Sequence, residues 1–487
     1  MIILVVAVPL LLGLLALSAL LGGKAGEFSF AEKIALSFML GLGTLTILMF
    51  ILGKFGIFLN LSNILIVVAL LALVLIVYLV QKRTFCLTVP ELKGLSLQGF
   101  SRLDWFLLAL IALKVVFVLS FALVKPVVDV DAFQFYSIVA KGVFFDGSFT
   151  LPYLQQFIGD KPLLPFLTQG WTLVGLGSDN DALIKIFSPL LFTCWLAIFF
   201  SALRRYYPRT PSLFFTFLAG TFPFIVYHAT TAYADVPVTV YYGTATIYLY
   251  LFMKECVLGN RTKAGTLLLV AASLLGISIW TKKAILVLAG INVVVVAVFL
   301  LLNRLRLERA LWRSIAGSGL IFILFAGPWL VMGQFGTIVN VITGLFGSTP
   351  GPVAATTAAA VEQPGNKLEL ILTIFSRKLF LYADWHLLWA LVVASLVFFY
   401  RRVFSQPLVF LLAIVVLDLL SLFVQFGSGE TFRWLLDGTL FDRLAMNSVP
   451  VALLLCAEAI LPGFIPGPKG NSPAASSRVS RGNKKGS

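Results

Sequence analysis

Long apolar runs recur along this chain, each near twenty residues and each closed by a short polar or basic stretch. Wound as a helix, a run of that length matches the hydrocarbon thickness of a bilayer. The pattern predicts about 13 membrane-spanning helices, over 1–22, 31–52, 57–80, 104–124, 181–203, 212–228, 236–253, 265–281, 284–302, 314–332, 385–400, 407–425 and 443–462. The first run lacks a basic leader and a cleavage site, so it reads as a retained span rather than a signal peptide. No period of 20–50 residues is visible, which sets solenoid arrays aside.

The polar gaps carry a second pattern. Basic residues gather in alternate gaps: Lys82, Arg83, Lys93 and Arg102; Arg204, Arg205 and Arg209; Lys254, Arg261 and Lys263; Arg304, Arg306, Arg309 and Arg313; Arg401 and Arg402; and Lys469, Arg478, Arg481, Lys484 and Lys485 in the tail. Cytoplasmic loops collect Lys and Arg, so these gaps are expected in the cytoplasm. The long stretches 125–180, 333–384 and 426–442 are then expected outside, on the exoplasmic or periplasmic face of a plasma (inner) membrane.

Composition agrees. The chain is 60% hydrophobic and 12% charged over 487 residues, with mean hydropathy +1.01. A soluble protein of this size needs more polar surface. The net charge of +15 would suggest nucleic acid in a soluble protein, but the basic gaps account for it. Cys86, Cys194, Cys256 and Cys456 are scattered, so neither a disulfide nor a Cys-bound metal is expected. The expected fold class is an all-α polytopic membrane protein with amphipathic helices in its exoplasmic loops. Five regions follow: N-terminal helices over 1–103, a core over 104–332, a mobile loop and interfacial helix over 333–384, C-terminal helices over 385–466, and a disordered basic tail over 467–487.

Candidate chemistry concentrates in the outside stretches. Asp129 and Asp131 sit two residues apart just past a predicted helix end. Such a pair is either solvated loop charge, a metal-phosphate site, or a general base for a hydroxyl. Lys161, in Asp160-Lys161-Pro162, either snorkels to the interface or meets a phosphate at headgroup depth. Asp235 opens a predicted helix, where it either caps the dipole or forms a second carboxylate facing Asp131. Lys282 and Lys283 follow Thr281 in a short polar break, a charged turn or a stabiliser of a phosphate leaving group. Arg377, Lys378, Arg433 and Arg443 are further outside cations, with Arg443 ranked first because it opens the last predicted span. His228 and His386 are too far apart for a metal signature, and no metal or other cofactor is predicted. Inside the spans, Lys114, Asp418 and Glu458 are expected to form a structural Lys–carboxylate pair.

Together these residues resemble the GT-C fold membrane glycosyltransferases, in particular the group of dolichyl-phosphate-mannose protein mannosyltransferases and undecaprenyl-phosphate aminoarabinose transferases. The resemblance rests on Asp131-Ala132-Phe133-Gln134-Phe135-Tyr136 through Ala140-Lys141, on Lys161-Pro162-Leu163-Leu164, on Tyr233, Asp235 and Pro237, and on Thr281-Lys282, in that order over roughly 125–300. Two features depart from the pattern: Ala132 follows Asp131 where many relatives have Glu, and three predicted spans precede residue 104. The resemblance implies a GT-C-like fold and transfer of a hexosyl or pentosyl group from a polyprenyl-phosphate donor to a hydroxyl on a lipid, glycan or protein. It implies Asp131 as the catalytic acid with Asp129 as its neighbour, Asp235 as the second acid, and Lys161, Lys282 and the exoplasmic cations as phosphate ligands. Tyr136, Lys141 and Tyr233 would line the donor and acceptor pocket. A glycan ligase and a lipid or solute transporter are the competing readings; a transporter would favour inverted repeats and mid-membrane charges.

Overall fold

The computed structural model describes residues 1–84, 99–303, 309–331, 367–427 and 429–464. Among them there are helices and no strand. The expected loop over 333–366 and the tail from 467 lie outside the described residues.

The helices follow the apolar runs. They are α1 Ile2–Leu21, α2 Phe30–Lys54, α3 Leu61–Gln81 and α4 Arg102–Val124, then α5 Ser137–Asp146, α6 Pro152–Ile158, α7 Leu164–Leu176, α8 Phe187–Arg204, α9 Arg209–Ala219 and α10 Pro223–His228. Next come α11 Asp235–Val257, α12 Arg261–Thr281, α13 Ile285–Leu302, α14 Arg309–Val331, α15 Lys367–Phe380, α16 Leu388–Phe398, α17 Tyr400–Val403, α18 Leu408–Gly427, α19 Gly429–Leu436, α20 Phe441–Ala445 and α21 Val449–Ile460. Starts are written in the sequence: Ser29 with Glu32, and Ser101 with Asp104, form capping boxes at α2 and α4.

Eleven helices among the described residues are long and apolar enough to cross a membrane, which makes this an integral membrane protein. The two remaining predicted spans are shorter. The run over 212–228 breaks into α9 and α10 at Gly220–Phe222, because Pro223 cannot continue a helix through its missing N–H. The run over 385–400 yields only α16, with 11 residues.

The N-terminal helices are built into the bundle. Gly13 of α1 and Gly41 of α2 let the two backbones touch: a Cβ on Gly13 would lie 1.7 Å from the Ser37 carbonyl oxygen, and one on Gly41 1.7 Å from that of Pro9. Helix α2 is then held from the other side, where Tyr241 donates to the Met39 carbonyl at 2.8 Å and Trp280 to Thr46 at 3.1 Å. Helices α11 and α12 are buried along their length, whereas α3, α4 and α14 expose most of theirs to lipid.

Charged residues mark the two ends of the bundle. At one end, three consecutive residues after α8 each meet a buried carboxylate of a different helix: Arg205 reaches Glu32 at 2.7 Å, Tyr206 Glu255 at 2.5 Å and Tyr207 Glu458 at 2.7 Å. Lys254 also pairs with Glu458 at 2.7 Å, and Lys263 with Glu255 at 2.5 Å. The predicted basic gaps at 204–209, 254–263 and 401–402 therefore share this end. The expected Lys114–carboxylate pair does not form. Glu458 takes Lys254 instead, and Asp418, fully buried, is held by the Tyr242 hydroxyl at 2.8 Å.

Candidate functional site

The opposite end gathers the segments that follow α4, precede α11, join α12 to α13 and open α20. Asp131 stands at the start of a short π-helical turn, Ala132–Tyr136, which runs into α5. Such turns widen the helix and re-aim its side chains. The Asp131 carboxylate is 32% exposed. Asp129, two residues earlier, is turned inward with 5% exposed. It accepts from Lys125 at 3.3 Å and from the Tyr227 hydroxyl at 2.7 Å. The two acids that sequence could not separate thus have different surroundings.

Asp235 begins α11 and is fully buried. Its Oδ1 receives Lys282 Nζ at 2.6 Å, and its Oδ2 receives Arg443 Nε at 3.0 Å and Nη2 at 2.9 Å. A buried carboxylate needs this compensation, since isolated charge is costly away from water. Arg443 then reaches outward: its Nη1 donates to Asp131 Oδ2 at 2.5 Å. One guanidinium therefore joins both acids, using the fork geometry that lysine lacks. The Tyr233 ring lies beneath it, 4.9 Å from the guanidinium carbon.

His228, almost fully buried, places Nδ1 3.8 Å from Asp235 Oδ2 and is boxed by Phe224, Tyr227 and Tyr233. Sequence reasoning noted His228 only as a helix-end residue. Its return to Asp235 comes from the break after α9, which folds α10 back beside the start of α11.

Lys161 sits over the Phe135 ring at 4.5 Å, next to the Asp131 turn, and donates to the Phe157 carbonyl at 3.0 Å. Among the described residues it has no carboxylate partner in hydrogen-bond or ion-pair contact. Burial, followed by the neighbouring Lys283 cation, lowers its pKa below the ordinary lysine value against the opposing pull of Asp160 and Asp131. Tyr136, packed against Phe166 at 4.9 Å, and Tyr233 both have raised pKa values, chiefly through burial. Both remain hydroxyl donors at neutral pH.

The other predicted residues lie around this centre or away from it. Lys283 pairs with Asp160 rather than pointing into the cluster. Lys378, on α15, pairs with Asp442 at 2.5 Å, one residue before Arg443. Arg377 is exposed beside it. Lys141 turns away to Asp179 at 3.3 Å and Asp181 at 3.0 Å, so it anchors the 177–182 loop instead of lining the Asp131 cluster. Among the described residues no group of three metal-ligating side chains converges. Lys185 was not singled out by sequence. It is buried and donates to the carbonyls of Lys125 and Pro126, which fixes where α4 ends.

The arrangement gathers a partly exposed carboxylate, a buried carboxylate that positions two cations, and a further lysine at one end of the bundle. It can take a proton and hold an anionic group at once.

No family model and no curated protein matches the chain. Two solved structures are similar to it, both of ArnT from Cupriavidus metallidurans. The apo form superposes with a TM-score of 0.49 and the form described as bound to undecaprenyl phosphate with 0.47. Each shares 15% identity, and each match covers 74% of this chain and 60% of the ArnT chain. The chain therefore spans about three fifths of the length of these structures.

Proposed function

We propose that this protein transfers a sugar from a polyprenyl-phosphate donor to an acceptor hydroxyl, at the membrane face opposite its basic loops. The observation that carries this reading is the Asp131–Arg443–Asp235–Lys282 cluster with Lys161 beside it. A polyprenyl phosphate is also what the second ArnT structure is described as holding.

In the proposed step the acceptor oxygen attacks the anomeric carbon, and its proton passes to the Asp131 carboxylate. The bond from that carbon to the phosphate oxygen breaks, with inversion. The polyprenyl phosphate leaves carrying one more negative charge than it had as the diester. Cations that meet this growing charge lower the barrier. Lys161 is the first of them, because among the described residues it has no carboxylate to give up. Arg443 is the second. It holds Asp235 through Nε and Nη2, so Nη1 alone is committed to Asp131. A phosphate can draw Nη1 away without breaking the buried pair, which also releases Asp131 to act as base. Asp129 is the poorer base, since Lys125 and Tyr227 already occupy it.

The test is release of polyprenyl phosphate from a panel of polyprenyl-phosphate sugars by the purified protein, compared with Asp131→Asn and Asp129→Asn. Asp131→Asn should lower turnover by about 10²–10⁴-fold, with Asp129→Asn much closer to wild type. Turnover equal in wild type and Asp131→Asn would remove Asp131 from the mechanism. Absence of turnover with every donor would remove the transferase reading.

A further inference from the structure

The mid-membrane lysine of α4 is used by nothing described above. Lys114 is the thirteenth of the 23 residues of that span. At about 1.5 Å per residue it lies some 15–18 Å from either end of the helix. A lysine side chain extends only about 6 Å, so it does not reach the interface by snorkelling. Among the described residues no carboxylate pairs with it; its ammonium lies 5.6 Å from the Phe117 ring on its own helix. A charge at this depth is rare and is normally paired.

The helix around it is equally unfinished. Asp104, Leu107, Val118 and Ala122 face the bundle. On the flank that carries Lys114, the large side chains Phe106, Leu113, Phe117 and Phe121 are all about half exposed or more. Lipid covers such a surface adequately, but lipid tails do nothing for the ammonium.

We infer that the Lys114 flank of α4 is a docking surface for the transmembrane helix of another protein, one that carries a carboxyl side chain at the bilayer midplane. Charge complementarity selects this occupant. A second copy of the chain does not supply it: the mid-span carboxylate available among the described residues is Asp418, which is fully buried and bonded to Tyr242. Helix α4 leads directly into the Asp129–Asp131 segment, so the partner would sit alongside the outside stretch.

The test uses the full-length protein in phosphatidylcholine liposomes with a synthetic probe, a Leu-rich 23-residue helix bearing one central Glu, and a control with Gln in its place. Association is read by fluorescence energy transfer. The Glu probe should bind at least ten-fold more tightly than the Gln probe. Lys114→Leu should abolish the difference, and Lys114→Arg should keep it. Equal binding of the two probes, or a difference that survives Lys114→Leu, overturns the inference. So does efficient disulfide cross-linking between two copies through Leu113→Cys, which would show that the chain itself covers this flank.

Discussion

At the scale of single residues, the site turns on how many partners each charge has. Asp235 has two cations and no exposure. Asp235→Asn leaves Lys282 and Arg443 without their carboxylate, and losing one member of a buried pair costs about 3–5 kcal/mol. A large fall in the midpoint of thermal unfolding in detergent is expected, alongside loss of activity. Asp131→Asn removes an exposed carboxylate and should leave that midpoint nearly unchanged, so the two variants separate a positioning acid from a reacting one. Lys161 makes a pH prediction. Its pKa lies below the ordinary 10.5 because burial disfavours the cation. The charged form is lost as pH rises through that lowered value. The donor KM should therefore climb on the alkaline side earlier than an ordinary lysine would allow, and Lys161→Arg should move the climb to higher pH. An alkaline climb of KM that is identical in Lys161→Arg and wild type would take Lys161 out of donor binding.

At the scale of elements, the apolar runs made most helices legible, because a bilayer imposes one length on every span. What the runs did not reveal was the interruption between α9 and α10, where Gly220 and Pro223 act inside a stretch that is apolar enough to read as continuous. The candidate cluster was legible in its residue types and order, since charges outside the spans are scarce. Its pairings were not. Lys141 finds Asp179 and Asp181, and Lys283 finds Asp160, through contacts set by helix packing rather than by spacing. The α1–α2 crossing makes an element-scale prediction. Gly13→Ala places a methyl group on the Ser37 carbonyl and forces the helices apart. A cost of at least about 1–3 kcal/mol is expected from overpacking, read as a lower unfolding midpoint and a lower yield of folded protein. Gly290→Ala, at a glycine with nothing within 4 Å of an added Cβ, is the matched control and should be close to neutral.

At the scale of the whole molecule, charge is spent differently at the two ends. The basic end is locked by closed pairs, such as Lys254 with Glu458, backed by Tyr207 and Tyr250. The other end keeps a partly exposed acid and, among the described residues, a lysine without a carboxylate partner. Lys254→Met should lower stability by about 3–5 kcal/mol while leaving kcat of the surviving folded protein unchanged, measured in the same polyprenyl phosphate release assay. A matching loss of kcat would mean that the two ends are coupled.

Arg443 and Asp131 are 312 positions apart, while Lys282 and Asp235 are separated by 47. A ribosome therefore delivers Asp131, Asp235 and Lys282 long before it delivers Arg443, which joins the two acids. Until the helix beginning at Phe441 docks, the nascent chain holds Asp235 with one cation and leaves Asp131 without its guanidinium. Assembly of the Asp131–Arg443–Asp235–Lys282 cluster thus waits for a helix that enters the chain long after the residues it joins. A half-made chain already embedded in the membrane holds Lys161 and Lys282 but lacks the guanidinium that ties Asp131 to Asp235.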